Sequence, residues 1–105
     1  EQDFIEVMNK HIYENIDDSS FTVEQLAAKL NISRVQLYRK IKSILNISVS
    51  DYILNIRLEK AKTLLQDSRL TISEVSYSVG FSSPSYFSST FKNKFGKTPK
   101  SYRKN

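Results

Sequence analysis

The chain has 105 residues, of which 39% are hydrophobic and 26% are charged, and this is typical of one globular domain with a single modest core. No apolar run approaches the roughly 18 residues that a membrane-spanning helix needs, and the lack of cysteine excludes disulfides and thiolate metal sites. The chain begins with Glu1 and shows no signal peptide. We therefore expect a cytoplasmic piece of a longer protein that makes no membrane contact.

The net charge of +5 is unevenly distributed along the chain. Residues 1–24 carry seven acidic side chains and one basic side chain, whereas residues 25–105 carry 15 basic and four acidic ones. From Ser82 to the end there is no acidic residue at all. Positive charge concentrated in this way is typical of a protein that binds nucleic acid, although an ordinary solvated surface would also explain it.

Apolar residues recur at intervals of three and four along the chain, and alternation with a period of two is absent. This periodicity predicts an all-α fold. Only two Gly and two Pro occur to interrupt it. Seven helices are predicted, near residues 2–16, 22–30, 33–45, 48–66, 71–79, 83–95 and 98–104.

Capping residues mark the predicted helix boundaries. In a capping box, an N-cap hydroxyl and a Gln or Glu three positions later each bond a free backbone N–H. The candidate boxes pair Thr22 with Gln25, Ser33 with Gln36 and Thr71 with Glu74. Ser83 and Thr98 each precede a proline, which suits the first position of a helix. The predicted helix exits, where a left-handed backbone is needed, are Asn31, Asn46, Gly80 and Gly96.

One pattern of helix, tight turn and helix occurs twice in the chain. Residues 22–52 match residues 71–102 at an offset of about 49 positions, which becomes about 50 after one extra serine. A doubled helix-turn-helix on a basic chain predicts a DNA-binding domain, here extending over residues 1–105. Its parts are a first helix-turn-helix at 22–45, a linking helix at 48–66, a second helix-turn-helix at 71–95 and a C-terminal helix at 98–104.

The second helix of the first unit is amphipathic on a wheel of about 100° per residue. The side expected to face the core holds Leu37, Ile41, Ile44 and Leu45. The opposite side holds Val35, Arg39 and Lys42, flanked by Gln36, Tyr38 and Ser43. A guanidinium fork, an amide, a phenol and an ammonium suit the base edges and phosphates of a major groove. An ordinary helix with a wet polar face would show the same pattern.

The second helix of the second unit has a shorter, serine-rich exposed face. It is formed by Ser85, Ser89 and Lys92, with Ser88 and Asn93 at the flanks. Serine both donates and accepts hydrogen bonds and therefore discriminates poorly between bases. Lys94 is expected to lay its stem along the core side and keep its charge in water. The aromatic residues expected in the core, and not in a platform for single-stranded bases, are Phe81, Tyr86, Phe87, Phe91 and Phe95.

No motif points to catalysis, a cofactor or a metal ion, so the chain is not expected to be an enzyme. His11 is the only histidine, and we expect it at the surface or half-buried, without an obvious carboxylate partner. Arg57 interrupts the apolar side of the linking helix, and a structural ion pair or a helix cap explains it better than DNA contact does.

Two stretches resemble the AraC/XylS family of transcription regulators. Residues 72–103, which contain G-F-S-S-P-S-Y-F, are similar to the family signature, and so is R-L-E-K-A-K-T-L-L at 57–65. The similarity extends over roughly residues 15–104. It implies a seven-helix domain whose two helix-turn-helix units place recognition helices in successive major grooves of double-stranded DNA.

The resemblance also implies which side chains face DNA. The base-reading positions fall on Val35, Gln36, Tyr38 and Arg39 in the first unit and on Pro84, Ser85, Ser88 and Ser89 in the second. The basic residues expected at phosphates are Arg34, Lys42, Lys92, Lys97, Lys100 and Arg103.

The implied function is sequence-specific DNA binding for transcription regulation, with activation expected. F-T-V-E-Q-L-A at 21–27 and L-Y-R-K-I-K at 37–42 are similar to the C-terminal output domain of hybrid two-component regulators. The implied partners are RNA polymerase and the sensor and receiver domains of the same polypeptide. The alternative is a helix-turn-helix reused for protein–protein interaction, but such a copy should lack the acid-free basic stretches at 34–42 and 92–104.

Three positions depart from the family pattern. Val49 replaces a frequent proline, and Val75 with Ser76 replaces an Ile-Ala pair, which places a hydroxyl at a tightly packed position. Ser89 stands where the family commonly has arginine, so we expect the second unit to read bases less strongly than the first.

Overall fold

The fold is described from a computed structural model that places residues 2–67 and 69–103. The helices are α1 (Gln2–Glu14), α2 (Val23–Lys29), α3 (Arg34–Leu45), α4 (Val49–Leu65), α5 (Ile72–Ser78), α6 (Pro84–Phe95) and α7 (Pro99–Arg103). No strand occurs in these two ranges, and the all-α prediction is confirmed. Helix α1 ends two residues earlier than predicted, because Asn15 and Ile16 form tighter turns with backbone bonds to Ile12 and Tyr13. The last residue of the predicted seventh helix, Lys104, lies outside the described ranges.

The three predicted capping boxes are present at the starts of α2, α3 and α5. In each box the N-cap hydroxyl accepts a backbone N–H at 3.0–3.1 Å, and the Gln or Glu side chain accepts the N-cap N–H at 2.8–2.9 Å. The hydroxyl of Ser83 accepts the N–H of Tyr86 at 3.3 Å, and that of Thr98 accepts the N–H of Ser101 at 3.1 Å. Local hydrogen bonds therefore set the starts of the motif helices.

The predicted turn residues adopt the left-handed backbone. The turn between α2 and α3 has Asn31 at φ 60°, and the turn between α5 and α6 has Gly80 at φ 87°. The residues that follow α3 and α6 also match, since Asn46 has φ 58° and Gly96 has φ 80°. Asn and Gly tolerate this conformation better than other residues, so the repeated turn chemistry produces a repeated chain path.

The first of two compact units comprises the chain up to Ile16 and Ser20–Asn55. Its buried apolar core is formed by Met8, Ile12, Phe21, Leu26, Ala27, Leu37, Ile41, Val49 and Ile53. The prediction that Leu45 faces the core is wrong, because its side chain is 37% exposed. Leu45 is the last residue of α3, so no further turn of this helix shields it.

The second unit comprises Asp17–Ser19 and the chain from Ile56 onward. Its apolar core consists of Leu58, Ala61, Leu65, Val75, Val79, Phe81, Phe87 and Phe91. The ring of Phe87 lies 5.2 Å from that of Phe81 and 5.7 Å from that of Phe91, and the ring of Phe91 lies 4.6 Å from that of Phe95. These tilted and edge-on pairs are the arrangements that aromatic side chains prefer. The core prediction is confirmed for Phe81, Phe87 and Phe91, whereas Phe95 is half-buried at the end of α6.

Arg57 is only 8% exposed and has a structural role, as expected. Its guanidinium donates to the carbonyl oxygen of Val79 at 2.9 Å and to that of Asp18 at 3.1 Å. Val79 is the C-cap residue of α5, so the bond supplies a partner for a carbonyl at the end of that helix. Burial lowers the pKa of Arg57, and the nearby charges of Asp18 and Asp17 oppose this shift.

The departure from the family pattern at Ser76 is accommodated within its own helix. Ser76 is fully buried, and its hydroxyl donates to the carbonyl oxygen of Ser73 at 2.9 Å. A buried hydroxyl that keeps a partner avoids the cost of an unsatisfied polar group. Val49, at the other departure, is buried at the start of α4.

His11 is half-buried, as expected. Its Nδ1 lies 3.6 Å from Oε1 of Glu14, one helical turn later, which is too long for a hydrogen bond, and no described group hydrogen-bonds this buried nitrogen. Among the residues placed by the structure, no group of three or more His, Asp or Glu side chains is arranged to hold a metal ion. Within the same residues, no helix combines the length and the apolar character needed to cross a membrane.

Candidate nucleic-acid interface

Helix α3 has an exposed face that mixes apolar, aromatic and cationic side chains. Val35 is 55% exposed and Tyr38 is 49% exposed, and Arg39 and Lys42 are exposed as well. Their spacing of three and four residues places all four along one side of the helix. This side offers an apolar group for a thymine methyl, a fork of donors for guanine and an ammonium for a phosphate.

The side chain of Gln36 is already engaged at the start of α3. Its Oε1 accepts the backbone N–H of Ser33 at 2.8 Å, as part of the capping box. A glutamine that reads adenine bidentately uses both its oxygen and its nitrogen. Gln36 therefore cannot read adenine in this way without opening the cap, although its amide nitrogen can still donate.

The predicted phosphate ligand Arg34 lies in an ion pair. Its Nη1 is 2.6 Å from Oε2 of Glu24 on α2, and both side chains are exposed. Exposed ion pairs contribute little and are weakened by salt. The pair leaves Arg34 available to a phosphate, but Glu24 reduces the positive charge at this end of α3.

The hydroxyl groups on α6 bond mainly to one another and to their own helix. The hydroxyls of Ser83 and Ser85 lie 3.0 Å apart. The hydroxyl of Ser89 donates to the carbonyl oxygen of Tyr86 at 3.1 Å, and that of Thr90 donates to the same oxygen at 2.7 Å. Pro84 and Ser88, the other predicted base-reading residues on α6, are half-buried. The predicted readers of the second unit therefore form a small and largely self-satisfied surface.

The basic residues of the second unit that are predicted to contact phosphates divide into two groups. Lys92, Lys97 and Lys100 are exposed. Arg103 instead donates through Nε to the carbonyl oxygen of Leu65 at 3.0 Å and through Nη2 to that of Asp67 at 3.2 Å. Leu65 is the last residue of α4, so Arg103 caps this helix. Arg103 therefore has a structural role, and its predicted phosphate contact stays a prediction.

Tyr86 is the exposed residue that sequence reasoning assigned to the core. Its side chain is 55% exposed, and the prediction of burial is wrong. On the helix wheel Tyr86 lies about 100° from the exposed Ser85 and about 100° from the buried Phe87. Periodicity alone therefore does not assign Tyr86 to the exposed or the buried face of α6. The internal repeat does indicate that position 86 is exposed, because this position matches the polar Gln36 of the first unit.

Comparisons with known proteins identify a single domain type. A family described as "Helix-turn-helix domain" matches residues 26–105. The Msm operon regulatory protein of Streptococcus mutans is 45% identical over 86 residues, which is 82% of this chain and 31% of that protein. Histidine kinase P4 of Formosa agariphila is 39% identical over 94 residues, which is 90% of this chain and 7% of that protein. The chain thus spans less than a third of the length of either relative.

Solved structures give the same result. The C-terminal domain of the two-component response regulator yesN from Fusobacterium nucleatum has a TM-score of 0.87 and 38% identity, covering 96% of this chain and 98% of that one. An AraC-type DNA-binding domain-containing regulator from Chromobacterium violaceum has a TM-score of 0.84 and 34% identity, covering 91% and 85%. The DNA-binding domain of AdpA, solved in complex with a target DNA, has a TM-score of 0.83 and 28% identity, covering 91% and 86%.

Proposed function

Since the chain belongs to the AraC/XylS family of DNA-binding transcription regulators, we propose that it is the C-terminal output domain of a longer signalling protein. Sensor and receiver domains in the same polypeptide would control it, and RNA polymerase would be the partner through which it activates transcription in the cytoplasm. Support comes from its similarity to a response-regulator C-terminal domain and to a small part of a histidine kinase.

The proposed DNA-binding domain extends over residues 1–105. Its helices α3 and α6 enter two successive major grooves of the duplex. In the first groove Val35, Tyr38 and Arg39 would contact base edges, with a single bond from the amide nitrogen of Gln36. In the second, the first two turns of α6 would make weaker contacts through Pro84, Ser85, Ser88 and Ser89. The phosphate contacts would come from Arg34, Lys42, Lys92, Lys97 and Lys100.

The observation that carries this proposal is the exposed face of α3. Val35, at 55% exposure, lies on the same side of the helix as the exposed guanidinium of Arg39, and both groups have partners in a major groove. The described part of the acid-free stretch from Ser82 onward adds four exposed lysines on the second unit, of which Lys92, Lys97 and Lys100 are the proposed phosphate ligands. Phosphate neutralisation by such lysines supplies affinity that does not depend on sequence.

The test is the salt dependence of DNA affinity. Five phosphate contacts predict a slope of about −4.5 for the logarithm of the binding constant against the logarithm of salt concentration. The substitution Lys92→Ala should reduce the magnitude of this slope by about 0.9. The control is Lys10→Ala, which removes an exposed lysine from the acidic segment of the chain and should leave the slope unchanged. A flat plot for the unmodified chain would contradict DNA binding and favour the protein-interaction alternative.

A footprint tests the use of two grooves. Successive grooves on one face of DNA lie 10–10.5 base pairs apart, so the isolated chain should protect roughly two helical turns as a monomer. Because both units lie in one chain and follow each other in the same direction, the protected site should be asymmetric. Protection of a single turn would mean that only one unit engages DNA.

A further inference from the structure

We propose that Tyr86 contacts DNA in the second unit, by donating its phenolic proton to a backbone phosphate at the rim of the groove that α6 enters. The proposal rests on the proposed function and adds a residue that the family resemblance does not assign. It also names the chemistry of the contact, which is a hydrogen bond from an uncharged donor to an anionic oxygen and not an ion pair.

The ring of Tyr86 is held at one side and open at the other. Its centroid lies 5.5 Å from that of the buried Phe81, with the two planes tilted by 52°. The rest of the side chain is in solvent, and within residues 2–67 and 69–103 no group hydrogen-bonds its hydroxyl. A tyrosine has few rotatable bonds, so this anchored ring presents its donor with little loss of conformational entropy.

The neighbouring hydroxyls cannot serve as donors in the same way. A phosphate oxygen only accepts hydrogen bonds, and each serine or threonine hydroxyl has a single proton to donate. Ser89 and Thr90 already donate that proton to the carbonyl oxygen of Tyr86. In the pair formed by Ser83 and Ser85 at least one proton is also used. Tyr86 is therefore an exposed hydroxyl whose proton no described group accepts, whereas Ser88, whose hydroxyl is also without a described partner, is half-buried.

The position of Tyr86 on α6 favours a phosphate over a base. The middle of the exposed face is formed by Ser85, Ser89 and Lys92, and Tyr86 lies at its edge, about 60° beyond Ser89 on the helix wheel. Side chains in the middle of a recognition helix meet base edges, whereas side chains at its margins meet the sugar-phosphate backbone. Tyrosine is among the residues that commonly bond phosphate oxygens.

The first unit has no equivalent hydroxyl donor at this position. Gln36 occupies the matching position of the repeat, and its side chain closes the capping box of α3. On α6 the third helical residue is Tyr86, which cannot close a capping box because the box needs a Gln or Glu side chain. The whole side chain is therefore free to face the ligand in the second unit, whereas in the first unit only the amide nitrogen of Gln36 is free.

The experiment compares Tyr86→Phe with the unmodified chain. Phenylalanine keeps the ring contact with Phe81 and removes only the hydroxyl. Loss of one hydrogen bond to a charged phosphate should weaken binding roughly ten- to a hundredfold, for cognate and scrambled duplexes alike. The salt slope should not change, because an uncharged donor releases no counterion. The matched control is Tyr77→Phe, which removes the hydroxyl of another exposed tyrosine, 52% exposed on α5, and should bind like the unmodified chain.

A second measurement locates the contact. The half-site bound by the first unit is called proximal here, and the half-site bound by the second unit is called distal. Single phosphates of the distal half-site are replaced by neutral methylphosphonates. At one replaced linkage, the unmodified chain and Tyr86→Phe should bind with equal affinity. Equal affinity of the two proteins for ordinary duplex would overturn the proposal, as would a loss confined to one base pair, which would indicate base reading. Failure of the unmodified chain to bind any duplex would instead contradict the proposed function.

Discussion

The two helix-turn-helix units share a backbone design and differ in what they present to solvent. Both begin their first helix with a capping box and turn through one left-handed residue, Asn31 or Gly80. The second helix of the first unit exposes a valine, a tyrosine and an arginine, whereas that of the second exposes serines bonded within the helix. Caps and turns thus determine the same backbone path in both units, whereas the exposed side chains on the second helix of each unit differ.

The interiors of the two units differ as well. The first unit has a mainly aliphatic core, and the second has a chain of aromatic contacts that runs from Phe81 to Phe95. The second unit also depends on two arginines that cap helix ends, Arg57 for α5 and Arg103 for α4. Arginine side chains that donate to distant backbone carbonyl groups thus stabilise helix ends in the second unit.

The largest expected effect comes from removing the hydrogen bonds that Arg57 donates to backbone carbonyl groups. The substitution Arg57→Ala should lower the free energy of unfolding by about 2–4 kcal/mol, because two carbonyl groups lose a charged donor. Amide hydrogen exchange should show that α5 and α6 lose protection before α2 and α3 do. The control is Arg69→Ala, since Arg69 is exposed and pairs only with Asp67 nearby, and its melting temperature should change little. Uniform loss of protection in both units would contradict a stabilising role of Arg57 specific to the second unit.

The contrast between the recognition helices predicts unequal effects at matching positions. Arg39→Ala should cost roughly 1–3 kcal/mol of binding free energy and relax preference at one base pair of the proximal half-site. Ser89→Ala, at the matching position, should change binding far less, because the serine proton is already used within α6. Selection of binding sites from random duplexes measures both. Unchanged base preference in the Arg39 variant would show that this arginine is not the main reader.

The reverse substitution should reduce the difference between the units. Ser89→Arg places a forked donor in the middle of the exposed face of α6, where the family commonly has arginine. We expect the affinity for DNA to rise by up to about tenfold and a new base preference to appear in the distal half-site. The gain should be smaller than that of an ideal bidentate pair, because the arginine side chain loses conformational entropy on binding. The same selection should leave the proximal half-site unchanged. A gain that is equal for all sequences would indicate a phosphate contact instead.

The smallest expected effect concerns the apolar group on α3. If Val35 packs against a thymine methyl, replacing that thymine by uracil should weaken binding by about 0.5–1 kcal/mol, the value of one buried methyl group. Val35→Ala should bind both duplexes equally, so the double-mutant cycle isolates the contact. In the second unit the matching residue is Ser85, and uracil substitutions in the distal half-site should have no effect. Equal binding of thymine and uracil duplexes at every proximal position would exclude this mode of reading.

The sequence by itself determined the features that depend on near neighbours. Capping boxes join residues three apart, and the tight turns depend on whether one residue tolerates a positive φ, so Ser33 and Asn31 could be assigned without knowledge of the fold. The repeat then predicted that the same order of helices occurs twice. Helical periodicity correctly assigned Leu37 and Ile41 to the core, because a core-facing stripe in the middle of a helix has neighbours on both sides.

Only the tertiary structure decided the features that depend on distant residues or on helix ends. Arg57 and Arg103 bond carbonyl groups 22 to 39 positions away in the chain, and nothing local distinguishes such an arginine from one that meets a phosphate. Leu45 and Tyr86 lie in the last and first turns of their helices, where periodicity has no neighbouring turn on one side. Their exposure is set by how far the packed core extends along each helix, which is a property of the assembled unit and not of any local pattern.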